Sequence, residues 1–351
     1  MSEDVVVERR GRAGIITLDR PEAMNALTHE MVRAVLAALE AWRDEPAIET
    51  VVLQGAGDRG LCAGGDVVGL RRAILDGELE GTRAFFRDEY RMDAAVARFP
   101  KPVVALMDGV VLGGGVGIGG HASHRVVTER SRVGFPEVTI GFAPDVGASW
   151  LLSRPAAGRV GAWMALTGQP VGAAAALRAG LADHHVPSDR LAELVGRLEH
   201  EDAGTAIAAL ATSPAPGPGD DVPAAFDEPI VERVLAALDA GPDADRETAE
   251  LIRTKSPSGL RVAAEARRRG AELPSLEAAL AQELRIVAHA ITTHDLVEGI
   301  RAQLVDKDRA PRWQPATLAA VTDDVVDAYF APPPGGDLDL PTPSPTARSA
   351  S

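Results

Sequence analysis

Short apolar blocks with a strand-like pattern alternate, in the first half of the chain, with longer stretches of helical period. Val5 to Glu8 and Gly14 to Leu18 are β-branched runs on either side of Arg9-Arg10-Gly11-Arg12, which predicts a hairpin with a polar turn. Asp19-Arg20-Pro21-Glu22 breaks the pattern. Thr28 then N-caps a predicted helix in which Val32, Val35, Leu36, Leu39 and Trp42 share one face. Pro46 ends it, and Thr50 to Gln54 is the next strand. The stretch Gly55 to Asp66 is rich in glycine and reads as a loop beyond that strand, the place where alternating α/β folds hold ligands. Thr82 to Phe99 reads as a helix closed by Pro100, and Pro102 to Met107 as a buried strand. The glycines Gly113, Gly114, Gly115, Gly117, Gly119 and Gly120 follow, then a short strand from His124 to Thr128.

This order predicts an α/β architecture with mainly parallel strands. After Asp145 the pattern turns helical: Val146 to Arg178, then one last short strand at Ala182 to Val186, then Leu191 to Leu210, Ile230 to Ala240, Ser258 to Gly270 and Ser275 to Gln303. The expected organisation is a core over 1–190, a helical region over 191–330 packed on it, and a Pro/Ser/Gly-rich tail over 331–351 expected to be disordered.

Composition narrows the classes. A chain of 351 residues, 46% hydrophobic and 25% charged, is large enough for a substantial core. Its net charge of −15 argues against a nucleic-acid partner. The single cysteine, Cys62, precludes an internal disulfide and fits a reducing compartment. The N-terminus lacks an apolar signal segment, and no run approaches the length of a membrane span. A soluble, cytoplasmic protein is expected, with no membrane partner.

A strand that runs into glycines leaves bare backbone N–H groups, which stabilise negative charge. Gly115-Val-Gly117-Ile-Gly-Gly120 fits the GxGxxG fingerprint of a dinucleotide site, but the next strand begins at His124, too soon for the usual crossover helix. Two other readings stand beside it: close backbone packing, and an oxyanion hole using the N–H of Gly114, with a second donor to be sought in Cys62-Ala-Gly-Gly-Asp66. Glu137 lies between apolar neighbours eight residues before Asp145, which suits acid/base work if the pair is buried. The histidines at 121, 124, 184 and 185 lack ligand partners at metal spacing, so no metal is expected; Cys62 reads as a spectator thiol, and there is no GxSxG elbow.

Four motifs in succession, Asp19-Arg-Pro-Glu-Ala-Met-Asn-Ala-Leu27, Cys62-Ala-Gly-Gly-Asp66, Asp108-Gly-Val-Val-Leu-Gly-Gly-Gly115 and Phe135-Pro-Glu137, resemble the signatures of the crotonase (enoyl-CoA hydratase/isomerase) superfamily. Further stretches resemble its 3-hydroxyisobutyryl-CoA hydrolase branch: Asp88-Glu89-Tyr90, Pro136 to Gly147, Leu166-Thr-Gly168 with Arg178-Ala-Gly180, and His294 to Ala302 with Asp306-Lys-Asp308 and Pro311-Arg-Trp313. The match runs from about residue 5 to 315.

The resemblance implies a β-β-α superhelix, an acyl-CoA thioester as substrate and no separate cofactor. By position it implies an oxyanion hole from the N–H groups of Gly65 and Gly114 and a CoA site along Met24 to Ala26 and Ala63, Gly64, Asp66 and Val67. Pro136 and Glu89 would contact substrate. Arg20, Arg71 and Arg72 are either phosphate contacts or surface arginines. A homo-oligomer, trimer-based or dimeric, is implied as well. Hydratases of the superfamily carry a glutamate three residues after the oxyanion glycine, and here that position is Gly117; only the second glutamate, Glu137, is present. The hydrolase branch has glycine there and keeps a Glu and an Asp eight apart. The resemblance therefore favours hydrolysis of a short branched 3-hydroxyacyl-CoA, as in valine breakdown, with Glu137 and Asp145 catalytic. A hydratase or isomerase, and a non-catalytic acyl-CoA-binding relative, remain as alternatives.

Overall fold

In the computed structural model, which describes residues 3–340, strands occur at β1 (Val5–Arg10), β2 (Ala13–Leu18), β3 (Thr50–Gly55), β4 (Gly60–Cys62), β5 (Val103–Met107), β6 (Val110–Leu112), β7 (His124–Val127), β8 (Arg132–Gly134) and β9 (His184–His185). β1 and β2 form the expected antiparallel hairpin, with Val5 opposite Leu18. The remaining pairs are parallel. Six strands make one sheet in the order β1-β2-β3-β5-β7-β9, and β4-β6-β8 make a second.

Each of the pairs β3-β4, β5-β6 and β7-β8 gives one strand to each sheet before a helical segment follows, so the chain advances in β-β-α turns. That is the superhelix implied by the resemblance. Periodicity missed the second sheet: Gly60–Cys62, Val110–Leu112 and Arg132–Gly134 are three-residue strands, too short to display alternation.

The inner strands β2, β3 and β5 of the large sheet are buried on both faces, which explains why they read as apolar runs, whereas Val6 and Val7 of the edge strand β1 are exposed. Ile16, Leu18, Val51, Leu53, Val103, Ala105 and Met107 face the main core. Their neighbours Ile15, Val52, Val104, Leu106 and Val126 face Leu194, Leu198, Ala206 and Ile207, from the helices Leu191–Leu198 and Ala203–Ala208. The first two helices after residue 190 therefore cap the sheet. Of the later ones, Val231–Asp239 and Asp243–Arg253 form a separate cluster with Ala162 and Leu166, while Leu276–Ala290 packs on the helix Leu79–Ala97.

Three long predicted helices are broken. Leu191 to Leu210 divides into Leu191–Leu198 and Ala203–Ala208. Val146 to Arg178 divides into Ala148–Leu151, Gly158–Thr167 and Ala173–Arg178, with left-handed glycines at 158 and 168. Ser275 to Gln303 stops at Ala290, where the hydroxyls of Thr292 and Thr293 bond back to the carbonyls of His289 and Ala290. Of the tail, residues 331–340 pack on the body: Asp337 pairs with Arg285 at 2.7 Å and Leu338 is buried. The rest of the predicted disordered tail, 341–351, lies outside the described residues. No helix among the described residues is long and apolar enough to cross a membrane.

Candidate active site

Three segments converge between the sheets. The first is Met24–Leu27, in which Met24 and Asn25 are left-handed. It is stitched to the loop after β4 by Ala63 N–H to Met24 O (3.0 Å), Leu27 N–H to Gly64 O (2.8 Å) and Asp66 N–H to Leu27 O (2.9 Å). The buried Asn25 side chain completes this seam, donating to Ala56 O and Gly60 O and accepting from the Arg20 N–H. Met24, Ala26, Ala63, Asp66 and Val67 are each partly exposed along the seam. Asp66 caps the helix Val67–Leu75 through the Gly69 N–H and holds Arg20 at 3.1 Å. Arg20 is thereby tied to the scaffold, and Arg71 donates to Val297 O.

The second segment is the short helix Gly114–Gly120. A Cβ on Gly114 would lie 3.4 Å from the N of Gly65, and one on Gly64 3.6 Å from the N of Gly114, so the two N–H groups lie side by side. Among the described residues neither N–H has an acceptor. Gly115 serves packing instead, since a Cβ there would stand 2.3 Å from the carbonyl oxygen of Cys62. The other glycines of the fingerprint are closed in as well, Gly117 by Asp93 and Val146, Gly119 by Leu61 and Met107 and Gly120 by Val116, which removes the dinucleotide reading. Cys62 is sealed in the same seam, and burial pushes its thiol up to about 12, which leaves no nucleophile there.

The third segment follows β8. Pro136, half-buried, starts the turn Glu137–Ile140, which Gly141 closes at φ +77°. Glu137 Oε1 would touch any Cβ at Gly113 (2.7 Å), where φ is +49°, so only glycine permits this approach. Eight residues on, Asp145 accepts a 2.6 Å hydrogen bond from the Tyr90 hydroxyl. Glu89 reaches the space above Gly114, its Oε1 2.5 Å from where a Cβ would be. The resemblance-derived residues Glu89, Gly65, Gly114, Glu137 and Asp145 are thus brought together.

Burial dominates the electrostatics. Glu137 and Glu89 are held well above the usual carboxylate range by desolvation, with the Asp145 charge adding to it. Desolvation also lifts Asp145, to about 7, although the Tyr90 hydrogen bond works the other way. Oε2 of Glu137 and Oε1 of Glu89 have no hydrogen-bond partner among the described residues.

Three residues were missed by sequence reasoning. Tyr90 and Asp93 share the buried face of the helix Leu79–Ala97 with Phe85, Phe86 and Glu89. An acidic residue recurring at i, i+4 on an apolar stripe was the available signal. Glu283 gave none, since it lies far along the chain in the helix Leu276–Ala290. Its carboxylate accepts from the N–H of Gly147 (2.6 Å) and from both the N–H and hydroxyl of Ser149 (2.7 and 2.6 Å). Together with the 2.8 Å contact of His121 Nε2 to Val146 O, it fixes a turn in which the β-branched Val146 has φ +54°. Glu283→Gln turns an amide NH₂ toward one of these donors. We expect a lower thermal midpoint and a fall in kcat of up to roughly 10²-fold with KM little changed, read by thiol release.

The comparisons agree with this geometry. Residues 13–330 match the family described as Enoyl-CoA hydratase/isomerase. The chain belongs to that family. It is 37% identical to the mitochondrial 3-hydroxyisobutyryl-CoA hydrolase of Gallus gallus, over 96% of this chain and 91% of that protein. Identity to the Homo sapiens protein of the same name is 33%, with the same coverage of both chains. Among solved structures it is similar to a carnitinyl-CoA dehydratase from Mycobacterium thermoresistibile (46% identity, TM-score 0.91, 96% of this chain and 99% of that one). It is also similar to an enoyl-CoA hydratase from Rhodobacter sphaeroides (39% identity, TM-score 0.87, 96% and 100%). This family member is therefore an acyl-CoA enzyme of the crotonase superfamily.

Proposed function

We propose that the protein hydrolyses a short, branched 3-hydroxyacyl-CoA thioester, of the 3-hydroxyisobutyryl type met in valine breakdown, to the free acid and CoA. The observation that carries this reading is that Glu137 stands without the partner glutamate of hydratases, while the N–H groups of Gly65 and Gly114 have no acceptor among the described residues. Glu137 lies against Gly113, the residue before Gly114, and Asp145 is held by Tyr90, while Gly117, where hydratases of the superfamily have their other glutamate, bears no side chain. The thioester oxygen takes the two N–H groups, which stabilise the tetrahedral oxyanion; one such donor is worth roughly 10²–10³ in turnover.

Ionised Glu137 then acts in one of two ways. As nucleophile, its oxygen bonds to the carbonyl carbon, the C–S bond breaks, and CoA leaves as a thiolate. Water cleaves the resulting anhydride and restores the carboxylate. As general base, it takes a proton from a water whose oxygen bonds to the same carbon; the C–S bond then breaks and the proton passes from Glu137 to the leaving CoA thiolate. Asp145, held by Tyr90, orients the water. The similarity to 3-hydroxyisobutyryl-CoA hydrolases supports this reading.

A second reading, hydration or dehydration of the acyl chain, is favoured by the 46% identity to a structure titled carnitinyl-CoA dehydratase. The two separate in one experiment. With 3-hydroxyisobutyryl-CoA we expect thiol release, and with crotonyl-CoA we expect the enoyl absorbance to persist. Loss of that absorbance without thiol release would reverse the assignment.

A further inference from the structure

Asp93 is fully buried, and neither of its carboxyl oxygens has a hydrogen-bond partner among the described residues. It lies one helical turn beyond Glu89, on the face of the helix Leu79–Ala97 that looks into the site. Its oxygens stand 2.8 and 3.0 Å from where a Cβ on Gly117 would be, with the Val146 side chain 2.9 Å from the same point. The space vacated at Gly117 is thus closed by a carboxyl group arriving from another helix. The charged groups it faces, Glu89, Asp145 and Glu283, are all acidic.

A carboxyl kept for the fold alone would be partnered, because an orphaned buried acid is destabilising where leucine would not be. Four unpartnered oxygens gather here: both of Asp93, Oε1 of Glu89 and Oε2 of Glu137. A pocket meant for a purely alkyl acyl chain would bury them against carbon. A chain carrying a hydroxyl gives two of these carboxyls a partner, since a hydroxyl both donates and accepts.

We infer that Asp93 is a specificity-determining residue, which with Glu89 receives the hydroxyl of the acyl chain and so selects hydroxyacyl thioesters over their deoxy counterparts. The inference rests on the hydrolase reading above. Sites built around a substrate hydroxyl reject the analogue lacking it by up to 10⁴–10⁵, whereas apolar pockets discriminate only weakly.

The test is thiol release from 3-hydroxyisobutyryl-CoA and isobutyryl-CoA, which differ in that hydroxyl alone, by the wild-type protein, Asp93→Asn and Asp93→Leu. We expect wild type to favour the hydroxyacyl substrate by roughly 10²-fold or more in kcat/KM. The preference should shrink at least tenfold in Asp93→Leu and less in Asp93→Asn, which keeps a donor and an acceptor. A wild-type ratio near one overturns the inference even if neither variant folds. An unchanged ratio in Asp93→Leu, including equal loss of both activities, overturns it too. Absence of thiol release by wild type from either substrate overturns the hydrolase reading, and this inference with it.

Discussion

Glu137→Gln leaves the fold intact and removes thioester cleavage, with turnover falling by roughly 10²–10⁴-fold or more. Glutamine fills the same volume beside Gly113, so the close contact that fixes the loop is kept. It supplies neither an anionic oxygen to attack the carbonyl nor a base for water. Because Oε2 of Glu137 has no partner among the described residues, no structural hydrogen bond to that oxygen is lost there, and the loss is expected in the chemical step. Binding of CoA along Met24–Leu27 should persist, so the variant is expected to hold the thioester without turning it over. Near wild-type thiol release from this variant would sink the assignment. A single wild-type turnover in ¹⁸O-labelled water, followed by mass analysis of the Glu137 peptide, separates the two chemical routes. Label in the side chain marks the anhydride, and its absence marks the general base.

The large sheet was legible because its inner strands are apolar runs buried on two faces, as in Val103–Met107. The second sheet was not, since Leu61, Val111 and Val133 each sit in the middle of a three-residue strand that no periodic pattern announces. In the site, local chemistry singled out Glu137 and Asp145 and offered the Gly114 N–H as one reading of the glycine turn, and resemblance supplied Gly65 and Glu89 by position. What neither supplied are the groups that arrive from elsewhere in the fold. Tyr90 holds Asp145 across 55 residues, and Glu283 holds the following turn across 136. Asp93 is the most instructive case. The missing glutamate at Gly117 read as an absence along the chain, and in space that position is filled by another acid. Proximity across helices has no sequence period, although a charged residue on an apolar helix face is a warning of it.

Thioester cleavage and thermal stability should change in opposite directions as pH rises. Glu89, Asp93 and Glu137 are held well above the ordinary carboxylate range, Asp145 is pushed up to about 7 and Glu283 to about 8, each chiefly by burial. In the unfolded chain these groups release their protons near pH ~4. Above that pH the folded state binds more protons than the unfolded state, so stability falls until the folded groups have also ionised, near pH 7–8 for the last two. His121, depressed to about 4 by burial, acts with the opposite sign and erodes stability on the acid side. The thermal midpoint should therefore peak in mildly acidic buffer and decline toward pH ~8. Activity runs the other way, because Glu137 attacks or accepts a proton only when ionised. Its kcat/KM should rise with pH through an apparent value above the ordinary carboxylate range, which belongs to the coupled cluster rather than to one residue. Melting curves and thiol-release rates across pH 5.5–8.5 at fixed ionic strength would show both slopes, and Asp93→Asn should flatten the first. A midpoint that climbs with pH over this range would mean that the buried carboxyls are already ionised in the folded protein.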